Sequence, residues 1–129
     1  MPSEKIKSFI NLRAWQEAHK LVLLVYRSSA KFPKNAYSLI DQIRRAVISI
    51  SSNIAEGFSR QSKKEKIQFY YISKGSLTEV QNLLLVSKDI KYLDQAEFKI
   101  IAEQTIVVHK LINGLIRSIK NSNSLDTKY

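Results

Sequence analysis

The chain has 129 residues, among them three glycines, two prolines and no cysteine, a length that buries a core as one domain without disulfides or metals. The lack of cysteine excludes a disulfide framework, a thiolate metal site and a cysteine nucleophile. With 21 Lys and Arg against 11 Asp and Glu the formal charge is +10, which favours nucleic acid, anionic lipid or an acidic protein as partner; the plain alternative is a basic but otherwise inert soluble protein.

So few glycines and prolines leave too few tight turns for a β-rich chain, and four apolar-periodic segments follow one another instead. The first spans about Leu12 to Lys31, where Leu12, Trp15, His19, Val22 and Tyr26 step by three and four residues along one helical face; Pro33 ends it. The second spans about Ser38 to Phe58, with Ile40, Ile43, Val47, Ile50 and Ile54 on one face. Ser38 followed by Asp41 reads as its cap, and Gly57 as its C-terminal glycine. The third opens on the capping box Ser62-Lys63-Lys64-Glu65 and runs to about Lys88. The fourth follows Asp94, with Glu97 three residues on, and reaches about Lys120 through Ile101, Val108, Leu111, Leu115 and Ile119. Short connections between helices of similar length predict an all-α, antiparallel up-down-up-down four-helix bundle, a single domain over 1–129 with loose ends at about 1–9 and 122–129.

The apolar faces are wider than such a bundle fills. Leu21, Leu23, Leu24 and Val25 add to the first stripe, and Ile100, Ile106, Val107, Ile112 and Ile116 to the last. Apolar residues left outside mark a subunit interface, so a homo-oligomer is expected. The most apolar run, Leu21 to Tyr26, is far below the ~20 residues that span a bilayer, and residues 1–30 lack the order of a signal peptide. A cytoplasmic protein with no membrane partner is expected, because a bundle that buries its oily faces has none to offer a lipid surface.

Several separated segments together resemble one known family. They are Leu12-Arg13-Ala14-Trp15-Gln16-Glu17-Ala18, Phe32-Pro33, Gln42-Ile43-Arg44-Arg45-Ala46 with Ser49-Ile50 and Asn53-Ile54-Ala55-Glu56-Gly57, and Phe69-Tyr70-Tyr71-Ile72-Ser73-Lys74-Gly75-Ser76-Leu77-Thr78-Glu79. Over residues 9–120 the chain resembles the four-helix bundle proteins encoded in intervening sequences of bacterial 23S ribosomal RNA genes, the S23 type. More distantly it is similar to the accessory variability determinant of diversity-generating retroelements. The resemblance implies a closed bundle assembling as a homopentamer around an axial funnel or barrel. Its distant branch implies binding to a reverse transcriptase and its template RNA through a basic surface.

Two sets of polar residues stand out. Arg45, Ser49, Ser52 and Glu56, with Asn53 beside them, share a face of the second helix; Ser73, Ser76 and Glu79 share one of the third, next to Gly75. These residues read as a structural seam in which Arg45 pairs with Glu79 or Glu56 and another helix approaches Gly75 closely; contact of Arg45 with an RNA phosphate is the alternative. Arg44, one position round, is expected to face solvent or RNA. The candidate nucleic-acid contacts are Arg13, Lys20 and Arg27 at seven-residue spacing, Arg44, the cluster Arg60, Lys63, Lys64 and Lys66, and Lys110, Arg117 and Lys120. In a ring of identical subunits these rows would form a positive band that tracks a phosphate backbone with little regard for sequence; ordinary solvated helix faces are the alternative.

No catalytic role is expected. His19 and His109 lack a Glu-x-x-His companion, no phosphate loop or nucleophile elbow is present, and no spacing suits a metal, so neither metal nor cofactor is assigned. Two functions from different classes remain: a basic homo-oligomer that binds RNA or DNA, as a possible accessory to a reverse transcriptase, or a scaffold oligomer whose charge only keeps it soluble.

Overall fold

In the computed structural model, which describes residues 6–122, four helices follow a single 3-10 turn, Phe9–Asn11: α1 Arg13–Ser29, α2 Tyr37–Ser59, α3 Lys63–Asp89 and α4 Gln95–Asn121. There is no strand among the described residues. Of the ends expected to be loose, 1–5 and 123–129 lie outside the described residues; Phe9 belongs to the turn, which Ser8 caps by accepting from the Ile10 amide at 3.3 Å.

Each helix packs on its chain neighbours and α1 packs on α4, while no Cα atoms of either diagonal pair come within 8 Å of each other, so the four helices close into a square bundle. The cross-links show the alternating direction. Ser28 and Glu17 of α1 bond Glu97 and Gln104 of α4, and Tyr71 and Gln81 of α3 bond Lys120 and Thr105 of α4, so both helix pairs advance in opposite senses. The core runs along the axis from Ala14, Ala18, Leu21 and Val25 of α1, Ile43, Val47, Ile50 and Ile54 of α2, Tyr70, Leu77, Val80 and Leu84 of α3, and Ile101, Val108 and Ile112 of α4.

Three expectations need correction. The buried stripe of α1 is Ala14, Ala18, Leu21, Val25 and Ser28, whereas His19 is exposed and Trp15, Val22 and Tyr26 are half-buried. Small side chains let α1 approach its neighbours closely, and a ranking by hydrophobicity passes over them. On α4 Ile112 and Ile116 are buried, and Leu111 and Leu115 lie at the core edge. The cap of α2 is the buried Ala36 with no side-chain cap bond; Ser38 falls in the first turn and Asp41 turns outward to Arg45.

Gly57 is also not a terminal glycine. The helix continues through it, and a Cβ there would stand 2.6 Å from Cε1 of Tyr70, so its role is to let α3 approach α2. The left-handed residue at a helix end is Lys91, with φ of 71°. Its amide bonds the Lys88 carbonyl at 3.0 Å and the Tyr92 amide bonds Ser87 O at 2.9 Å, which makes a Schellman closure of α3. Ser62 and Asp94 cap α3 and α4 as their spacing predicts, accepting from the amides of Glu65 and Glu97.

Candidate nucleic-acid interface

Helix C-termini leave carbonyls without partners and a partial negative charge, and three of the candidate basic residues are drawn to them. Arg44 is the first. Its Nε donates to Ser29 Oγ at 2.9 Å and its Nη2 to the Tyr26 carbonyl at 3.2 Å, with the guanidinium 4.5 Å above the Tyr26 ring. The expectation that Arg44 faces solvent or RNA is therefore corrected: it turns toward the C-terminal end of α1. Lys66 is the second, and it is buried, with 2% of its surface exposed. Its ammonium donates to the carbonyls of Phe58 at 2.8 Å and Gly57 at 3.4 Å at the end of α2, and desolvation lowers its pKa. An RNA phosphate has no route to it. Lys63 is the third, donating to the Ser122 carbonyl at 2.7 Å at the end of α4.

The expected seam divides into a neutral part that meets and a charged part that does not. Ser49 and Ser76 stand 2.8 Å apart across α2 and α3, Asn53 donates to both the carbonyl and hydroxyl of Ser49, and buried Ser73 donates to Ile50 O at 2.8 Å. Arg45 pairs with neither Glu79 nor Glu56. It lies further round the helix on the exposed side and bonds Asp41, one turn back, at 2.8 Å. Glu56 pairs with Arg60 at 2.9 Å, also within one turn, and Glu79 accepts only a long 3.5 Å bond from Gln42. An i,i+4 partner on the same helix face is reached with no helix crossing, which is why it wins over the inter-helix pair. Nothing lies within 4 Å of a Cβ built on Gly75, which is exposed, so the close approach expected there occurs at Gly57 instead.

The rest of the basic set stays outside. Arg13, Lys20 and Arg27 are all exposed on the outer line of α1, about 10.5 Å apart along the axis. Of these three, only Lys20 has a carboxylate of a described residue within 4 Å, Glu17 at 3.6 Å, and Arg13 acts on the same carboxylate from further away. Hydrogen bonding from Gln104, with Lys20 close by, holds the Glu17 carboxyl below its ordinary pKa. On the adjacent α4, Lys110 and Arg117 are exposed on the outer line, which they share with Lys99. Lys99 was absent from the candidate set, although its spacing of 11 and 18 residues from the other two, three and five helical turns, places it on the same face. Lys64 is exposed at the start of α3, and Arg60 lies 4.8 Å above the Phe69 ring. Lys120 donates to the Tyr71 hydroxyl at 3.0 Å and thereby lowers the pKa of that exposed phenol.

The outer faces of α1 and α4 thus each carry a basic line, and between these helices Glu97 is joined to Lys31 at 2.9 Å and to Ser28 at 2.6 Å. Among the described residues no group of three or more His, Cys, Asp or Glu is placed to hold a metal ion, and no helix is long and apolar enough to cross a membrane.

The profile of the family described as 23S rRNA-intervening sequence protein matches residues 10–114 of the chain. The fold is similar to the crystal structure of a protein of unknown function from the S23 ribosomal protein family of Bacteroides thetaiotaomicron VPI-5482. That likeness has a TM-score of 0.74 at 19% identity, covering 81% of this chain and 98% of the other. At such identity it speaks for the fold alone. A comparison with curated proteins returns no match.

Proposed function

As the chain belongs to the 23S rRNA-intervening sequence protein family, we propose that it is a non-enzymatic, cytoplasmic homo-oligomer that binds RNA through phosphate contacts along α1 and α4. The observation that carries this reading is the pair of outer basic lines, Arg13, Lys20 and Arg27 on α1 and Lys99, Lys110 and Arg117 on α4, all exposed. Phosphates attract such lines without regard to base sequence. The exposed Leu23, Ile100, Ile106 and Val107 on the same two helices support self-association, and repetition of the lines around a ring, five-membered by family resemblance, would raise avidity. A reverse transcriptase is a further partner on the distant resemblance alone.

A scaffold oligomer without a nucleic-acid ligand is the second reading. It is favoured by the internal employment of Arg44, Lys63 and Lys66, which removes part of the charge from the surface. Fluorescence anisotropy with a generic single-stranded RNA over a range of salt separates the two. The RNA reading expects log affinity to fall linearly with log salt, by about 0.7 per phosphate contacted. The triple variant Arg13→Gln, Lys20→Gln, Arg27→Gln then flattens that slope. Binding that ignores salt, or no binding at 50 mM salt, leaves the scaffold reading.

A further inference from the structure

At the end of the bundle where α1 begins and α2 and α4 finish, the core opens into a cavity of about 300 Å³. Its wall is apolar, from Leu12, Phe58, Leu115 and Ile119, and it reaches the surface beside the exposed Ile6 and Ser118. Within this wall sits Tyr70, among the largest fully buried side chains, with 1% of its surface exposed. Its ring is pinned against the α2 backbone by the missing side chain of Gly57. Tyr70 lines the cavity, and no described residue forms a hydrogen bond with its hydroxyl. Buried tyrosine hydroxyls usually find a partner, and walls this apolar hold water poorly. A donor with no acceptor among the described residues, at the wall of an oily space of this size, is the arrangement of a small-molecule site.

The charge of the occupant follows from the surroundings. Among the described residues no charged side chain lines the space, and Lys66, four residues before Tyr70 on α3, is committed to the carbonyls of Gly57 and Phe58. Desolvation pushes the Tyr70 phenol up to about 12, so it remains a donor at neutral pH. We propose that this cavity binds a small, uncharged, mainly apolar molecule carrying one hydrogen-bond acceptor, which Tyr70 engages. The site is remote in chemistry from phosphate contacts and stands whether or not the chain binds RNA.

The test titrates the full chain with acetophenone and with α-methylstyrene, its hydrocarbon isostere, while following the methyl NMR signals of Leu12, Leu115 and Ile119. Both compounds are expected to shift these methyls saturably. Tyr70→Phe should weaken acetophenone about threefold to tenfold, the worth of one hydrogen bond, and leave α-methylstyrene within about twofold. The variant removes only a hydroxyl that no described residue engages, so it should fold; its thermal melt checks this. Ser118→Trp, at an exposed position beside the opening, should weaken both compounds. The proposal is overturned if neither compound saturates these methyls, or if Tyr70→Phe changes the two affinities alike.

Discussion

At the scale of single residues, two of the three helical glycines, Gly57 and Gly75, have opposite meanings. Gly57 is a contact: any Cβ there meets the Tyr70 ring at 2.6 Å and Phe69 Cβ at 3.1 Å. Gly57→Ala should therefore lower stability by about 1–3 kcal/mol, as overpacking does. Gly75 faces open space on an exposed helix position, where alanine is the better helix former. Gly75→Ala should raise stability by about 0.5–1 kcal/mol. Thermal melts of the two variants should move in opposite directions; movement in the same direction would contradict the packing described. Both glycines were visible in the sequence, but only the third dimension shows which one a neighbour touches.

At the scale of elements, the helix ends explain much of what the charges do. Arg44 of α2 closes α1, while Lys66 and Lys63 of α3 close α2 and α4, so part of the basic excess stabilises the bundle electrostatically. Adjacent arginines on α2 then differ in consequence. Arg44→Ala loses two hydrogen bonds and the stacking on Tyr26 and should cost about 1–3 kcal/mol. Arg45→Ala loses one exposed same-helix pair and should change stability by about 0.5 kcal/mol or less. Equal losses in denaturant melts would show that the guanidinium of Arg44 is not held as described. A second clasp joins α1 to α4, where bonds from Ser28 and then Lys31 hold the Glu97 carboxyl below its ordinary 4.5. Because the folded carboxyl is the stronger acid, the unfolded chain takes up its proton first as pH falls. The clasp thus contributes fully above about pH 4.5 and is lost below it. Glu97→Gln should flatten that part of the acid limb of stability against pH, measured by urea melts; an unchanged limb would assign it to other carboxylates.

At the scale of the whole molecule, a closed square of four helices cannot cover every apolar residue the chain carries. Ile100, Ile106 and Val107 remain exposed on α4, and Leu85 of α3 borders a groove of about 290 Å³ with Phe98 and Ile106. In the proposed self-association these residues would form the contact with another copy of the chain. Native mass spectrometry should give an integral multiple of 14.9 kDa, and Ile106→Glu should shift the population toward one subunit while the helical circular dichroism persists. A particle that is monomeric before mutation would end the ring reading and leave any RNA contacts to a single bundle.

The sequence by itself determined the number, order and near-exact limits of the helices, because caps such as Ser62 and Asp94 and breakers such as Pro33 act locally. Short connections then left little choice but an antiparallel bundle. The faces of α2 and α3 that carry Ser49 and Ser76 were also legible from spacing, whereas the contact between the two hydroxyls belongs to the tertiary structure. What only the tertiary structure decided is the direction in which long, flexible side chains turn. A pattern of helical spacing is the same whether Arg44 points to solvent or to the end of α1, and whether Lys66 is free or buried. That choice depends on carbonyls belonging to another helix, which a one-dimensional pattern does not contain. The same holds for α1, whose small buried residues became legible as core only once the neighbouring helices were in place.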